Sequence, residues 1–111
     1  MADWKIVYYS DAVMQFVEDL PVGVRACYAR ITERMIVHGP NLGMPYTRAM
    51  GEGLFEVRAH GREGIARIFY CTAVGHRIVM LHGFVKKTDK TPPKELKIAA
   101  RRLHEVKHED A

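Results

Sequence analysis

Glu56, Arg58 and His60 occupy alternate positions in Leu54-Phe-Glu-Val-Arg-Ala-His60, a run dominated by strand-forming residues. Side chains two apart on a strand share a face, so these three project together with Leu54, while Phe55, Val57 and Ala59 take the other face and can enter a core. The same alternation sets Arg67, Phe69 and Cys71 against Ala66, Ile68 and Tyr70. In the run from Arg77 to Lys87 it groups Ile78, Met80, His82, Phe84 and Lys86 opposite Val79 and Leu81, with Lys87 following. Three neighbouring strands would bring Arg58, Arg67, His82 and Lys86 onto one wet, basic surface. An arginine fork holds two phosphate oxygens and keeps its charge, so the chemistry offered is the binding and stabilisation of phosphate. His60 and His82 are proton-transfer candidates. Glu56 can act as a base or orient an arginine.

The elements that position these residues follow from periodicity. Trp4 to Tyr9 reads as a first strand. Ser10 offers an N-cap oxygen to a helix from about Asp11 to Leu20, and Pro21 separates it from a second helix whose stripe is Val24, Cys27, Tyr28, Ile31 and Met35. The two form a hairpin ending near His38-Gly39. Gly39 to Gly53, rich in glycine and proline, reads as a loop. Strands then run over Leu54 to His60, Ile65 to Thr72 and Arg77 to Val85, with connections short enough to require antiparallel pairing. Thr91 can cap a final helix with Pro92 in its first position, carrying the stripe Leu96, Ala99, Ala100 and Leu103. The expected fold is α+β in the order β-α-α-β-β-β-α. It has an antiparallel sheet, the helical hairpin on one face and the last helix on part of the other, where it would cover Ile78 and Met80.

A chain of 111 residues has room for one core, so residues 1–111 are expected to form a single domain. The hydrophobic share of 48% and charged share of 27% are ordinary for a globular protein. No apolar run approaches the roughly 20 residues that span a bilayer, and no secretory signal is apparent, so the cytoplasm is the expected compartment and no membrane partner is expected. Cys27 and Cys71 are expected to be buried thiols, and neither a metal nor any other cofactor is expected. Charge is uneven: residues 1–47 carry four Lys/Arg against five Asp/Glu, and residues 48–111 carry thirteen against eight. A basic second half and a pI near 9.2 suit a polyanionic partner, although a solvated charged face would look the same.

Leu54-Phe-Glu-Val-Arg58, Gly64-x-x-Arg67-x-x-Tyr70, Leu81-His-Gly-Phe-Val-Lys-Lys-Thr88 and Thr91-Pro-Pro-Lys-Glu95 followed by Ala99-Ala-Arg101 occur in this order along nearly the whole chain. In this the sequence resembles the RelE/ParE superfamily of small bacterial toxins, most closely its phage-derived HigB-like branch. The resemblance implies a RelE-like, microbial-ribonuclease-like fold and metal-independent cleavage of mRNA on the ribosome. It also implies neutralisation by a cognate helix-turn-helix antitoxin.

Such cleavage needs a base for the 2′-hydroxyl, cations for the phosphorane and an acid for the leaving oxygen. Arg58 and Arg67 match the family's arginines and are assigned the phosphate. Lys86 and Lys87 match the basic pair closing its last strand. Some family members also present a tyrosine or histidine near the final helix, but here the loop reads Thr88-Asp-Lys-Thr-Pro-Pro93 and no tyrosine follows Tyr70, which leaves the general acid and the base-stacking group unassigned. Two other readings compete with an mRNA endonuclease: a ParE-like gyrase poison without nuclease chemistry, and a non-toxic RNA-binding module of the same fold.

Overall fold

The computed structural model describes residues 3–110. Its elements are β1 (Lys5–Tyr8), α1 (Asp11–Glu18), α2 (Val22–His38), β2 (Thr47–Gly51), β3 (Leu54–Gly61), β4 (Gly64–Ala73), β5 (Arg77–Val85) and α3 (Pro93–Asp110). The fold is α+β, with the strands in one sheet ordered β1-β5-β4-β3-β2.

Two expectations about the sheet are corrected. The sheet is mixed: β2, β3, β4 and β5 pair antiparallel, but β1 runs parallel to β5. The segment read as a loop also contains β2, an edge strand paired to β3 and shifted in register between Ala49 and Gly51. Glycine-rich composition concealed it, because Gly51 and Gly53, both at positive φ, belong to the turn that joins β2 to β3.

The helical hairpin covers one face as the stripes require. Ser10 caps α1 by accepting a hydrogen bond from the Val13 amide at 3.3 Å. Val13, Val17, Val24, Cys27, Ile31 and Met35 are buried against Val57, Ala59, Ile68, Tyr70, Ile78 and Met80. Pro21 stands at the N-cap of α2 without a side chain that could cap it. The orphan Gly23 amide is met instead by Glu63, from the turn between β3 and β4, at 2.9 Å. That bond holds the Glu63 carboxyl below its ordinary pKa. The stability it supplies is therefore present above the unfolded value of about 4.3 and is lost as pH falls through the lowered folded value. Glu63→Gln should lower Tm at neutral pH, and the difference from wild type should vanish in acid, as pH-dependent thermal melts can check.

The same corner depends on close backbone approach. A Cβ on Gly61 would lie 2.7 Å from both Gly23 C and Val24 N, backbone atoms that cannot swing aside. Gly61→Ala should therefore destabilise the protein by about 3 kcal/mol, the upper end of overpacking costs. A denaturant midpoint unchanged from wild type would contradict this packing.

On the other face, α3 lays Ala99, Leu103 and Val106 over Leu54, Phe69, Cys71, Val79, Leu81 and Phe84. The expected cover for Ile78 and Met80 is thus wrong, because those residues lie under the helical hairpin. The reason is a β-bulge. Phe69 pairs with His82 and Tyr70 with Met80, so Leu81 is an extra residue and the facing of β5 inverts there. Before the bulge Val79 and Leu81 face α3; after it His82 and Phe84 do. The Leu81 carbonyl at the bulge accepts a bond from Arg102 Nη1 at 2.7 Å. α3 begins at Pro93, one residue later than read, and Leu96 and Ala100 of its expected stripe are exposed. Tyr70 is fully buried and donates its hydroxyl hydrogen to the Pro40 carbonyl. Both cysteines are buried and free, and burial pushes the Cys71 thiol up.

Candidate active site

The registers place the chemical residues in rows across the α3 face. Arg48 on β2 stands opposite Glu56 on β3, Glu56 opposite Phe69 on β4, and Phe69 opposite His82 on β5. The next row is Arg58, Arg67 and Phe84. Beyond it, His60 pairs with Ile65, whose carbonyl accepts the Lys86 amide at 2.8 Å. Arg58 and Arg67 are thus direct cross-strand neighbours, with Glu56 beside them and Lys86 on the adjoining row, whereas His60 of that row turns its Nδ1 to within 3.9 Å of Cys27 Sγ on α2.

The centre of this patch is a carboxylate among cations. Glu56 Oε2 accepts from Arg58 Nη1 at 2.7 Å and lies 4.0 Å from Arg67 Nε. Its Oε1 is buried without a hydrogen-bond partner among the described residues. Glu56 is 1% exposed and Arg67 6%, whereas 21% of the Arg58 side chain is exposed. Arg67 was expected on a wet face and is not there. β4 is the central strand, and the neighbouring Arg58 and Phe84 close over it from either side. Its guanidinium pKa is lowered, first by burial and next by the charge of Arg58, with Glu56 opposing and Arg48 adding to the fall. Two guanidinium groups therefore share one carboxylate, with Arg48 opposite it on the neighbouring strand, and the excess positive charge is available to an anion arriving at exposed Arg48 and half-buried Arg58.

The remaining candidates separate from this centre. His82 bonds to Glu95 of α3 at 2.8 Å and lies two strands from Glu56, roughly 10 Å by strand spacing, with Phe69 between. Lys87 lines a cleft of about 510 Å³ with His82, Phe84, Thr88, Pro92 and Glu95. Phe69 and Phe84 stack on each other, centroids 5.8 Å apart, and both are buried under α3 rather than free to meet a base.

Two features escaped the sequence reading. Arg48 was hidden by the loop assignment; its signal was the short run Thr47-Arg-Ala-Met50 before a Gly-Glu-Gly turn. The expectation of no metal overlooked His104-Glu-Val-Lys-His108, whose histidines share a face of α3 at four-residue spacing. Glu105 is bonded to the Tyr9 hydroxyl, and among the described residues no group of three His, Cys, Asp or Glu could hold a metal ion.

A sequence model of phage-derived Gp49-like proteins (DUF891) matches residues 15–104. The chain belongs to the Gp49-like family. That family is associated with toxin–antitoxin systems and related to RelE-like toxins. No curated protein matches this chain. The Gp49-like match runs from α1 into α3 and contains every residue of the arginine–carboxylate centre. Among the described residues, no helix of this Gp49-like chain is long and apolar enough to cross a membrane.

Proposed function

We propose that the chain is the toxin of a type II toxin–antitoxin pair and acts as a ribosome-dependent mRNA endonuclease of the HigB-like kind. The observation that carries this is a single buried carboxylate within 4.0 Å of Arg58 and Arg67, with Arg48 opposite it on the edge strand, so that three adjacent strands bring arginines to one patch. A phosphorane carries more negative charge than the diester it forms from. Cations already fixed in place therefore favour the transition state over the ground state.

Arg58 and Arg48 contact the phosphate in this reading, since both reach solvent. Arg67 acts from beneath as a fixed positive charge. Glu56, too buried to meet a 2′-hydroxyl, is a positioning residue that holds the Arg58 fork. The proton-transfer pair is drawn from His60, His82, Lys86 and Lys87. A single-turnover pH profile that loses its acid limb in His60→Gln or in His82→Gln would name one member.

A cognate antitoxin with a helix-turn-helix domain is the partner implied, and it neutralises by laying an acidic or amphipathic segment across Arg58, His82 and Lys86, above buried Arg67. An antitoxin that neutralises while touching only α1 and α2 would refute that masking. The activity itself is tested by adding the purified chain to cell-free translation of a defined message and extending primers along the RNA. New 5′ ends within the translated frame are expected. Intact RNA throughout, with translation arrested or not, would sink the nuclease reading.

A further inference from the structure

β2 begins at Thr47, opposite Val57, and the last bond on that side is from the Arg58 amide to the Tyr46 carbonyl at 2.9 Å, so beyond Arg58 the outer edge of β3 faces the flank of α2 instead of a strand. A pocket of about 280 Å³ lies there, lined by Arg30, Ile31 and Arg34 of α2, by Tyr46 and by Arg58 and His60 of β3. Among the described residues, no acidic one lines it, and neither Arg30 nor Arg34 forms an ion pair. Arg34 lies over the Tyr46 ring at 5.2 Å, so a guanidinium plane and an aromatic ring stand together at the mouth. Arg58 belongs both to this pocket and, through its bond to Glu56, to the centre on the sheet face.

From this juxtaposition the geometry points to a subsite for one nucleotide of single-stranded RNA, next along the strand from the phosphate held at Arg58. The volume is at the lower end for small-ligand sites. The pocket joins the two things a nucleotide needs: cations for its phosphate, and planar surfaces of the kind on which bases stack. Ile31 gives it an apolar wall. An acidic peptide would use the arginines but would leave the ring and that wall without a role. The inference rests on RNA being the substrate, and it adds a second point of attachment formed by α2, an element outside the strands that carry the chemistry.

The test is fluorescence anisotropy with a fluorescein-labelled single-stranded RNA hexanucleotide. It compares wild type, Arg30→Ala, Arg30→Ala/Arg34→Ala, Tyr46→Ala, and a control with Arg25→Ala and Arg62→Ala, which lie outside the pocket. The double pocket variant should raise Kd at least tenfold. It should also reduce the steepness of the salt dependence by about 0.7, the contribution of one neutralised phosphate on a single strand. Tyr46→Ala should weaken binding with the salt slope unchanged, and the control should stay within twofold of wild type. Arg30 and Arg34 are exposed, so melting curves should coincide with wild type, and Arg30→Ala alone should show an intermediate loss.

Equal affinity across the set, or an equal loss in the control, overturns the subsite. So does displacement of the RNA by a hexaglutamate peptide that binds more tightly and loses affinity in the same variants, which would assign the pocket to a peptide. If the anisotropy pattern holds while no message is cleaved in translation extracts, the subsite stands and the nuclease reading falls. If cleavage occurs and the double variant binds like wild type, the subsite alone falls.

Discussion

Arg58→Ala should reduce cleavage of translated message by about 10²- to 10³-fold, the cost of deleting one preorganised transition-state donor. The structure adds a second consequence, because Arg58 is, among the described residues, the only hydrogen-bonded partner of a carboxylate that is 1% exposed. Removing that bond leaves the carboxylate with only Arg67, 4.0 Å away, as counter-charge and should cost about 3 kcal/mol, the lower end for a broken buried pair, or roughly 12 °C in Tm for a domain of this size. The two effects can be separated. Glu56→Gln/Arg58→Ala removes the carboxylate charge but also the counter-charge of buried Arg67, and should recover only part of the lost Tm without recovering cleavage. Arg58→Lys should keep much of the stability and little activity, since an ammonium cannot reproduce the planar fork. Melting curves with single-turnover rates on all three variants decide the matter. Full activity in the double variant would remove Arg58 from the mechanism.

Naked RNA should be cleaved slower by several orders of magnitude than the same message under translation. The exposed part of the site offers charge, through Arg48, Arg58 and Lys86, but few groups that could read a base or force the strand into an in-line geometry. Orientation of the reacting groups can be worth as much as about 7 to 11 kcal/mol, and the ribosome is the body expected to supply it. Raising salt should weaken association with ribosomes steeply, through the loss of phosphate contacts. Equal rates on naked and translated RNA at matched ionic strength would point to a nuclease that positions its own substrate.

The stripe of α2, the Ser10 cap, the hairpin at Gly61 to Gly64 and the facing of Glu56, Arg58 and Arg67 were all legible, because each is set by local periodicity. What failed depended on contacts distant in sequence. β2 is stabilised by its pairing to β3 rather than by propensity, so its glycines read as loop. The bulge at Leu81 inverted the facing of Ile78, Val79 and Met80, since a single extra residue shifts a period of two. Alternation gave Arg67 its face but not its depth. Burial came from the two flanking strands, and strand order is not written in either of them. Arg30 and Arg34 lie on the polar flank of a helix, where solvation is the ordinary fate; only the open edge of β3 turns them into the wall of a pocket.

The central claim is that this chain cuts RNA with the arginine–carboxylate centre. The most direct test induces wild type and Glu56→Gln/Arg58→Ala briefly in parallel cultures, maps RNA 5′ ends across the transcriptome, and probes chromosomal DNA for breaks in the same samples. Expected are new 5′ ends concentrated inside translated frames within minutes for wild type, none above background for the double variant at equal protein level, and intact DNA in both. Growth arrest with unchanged RNA ends and broken DNA would contradict it, and would place the chain with the gyrase poisons.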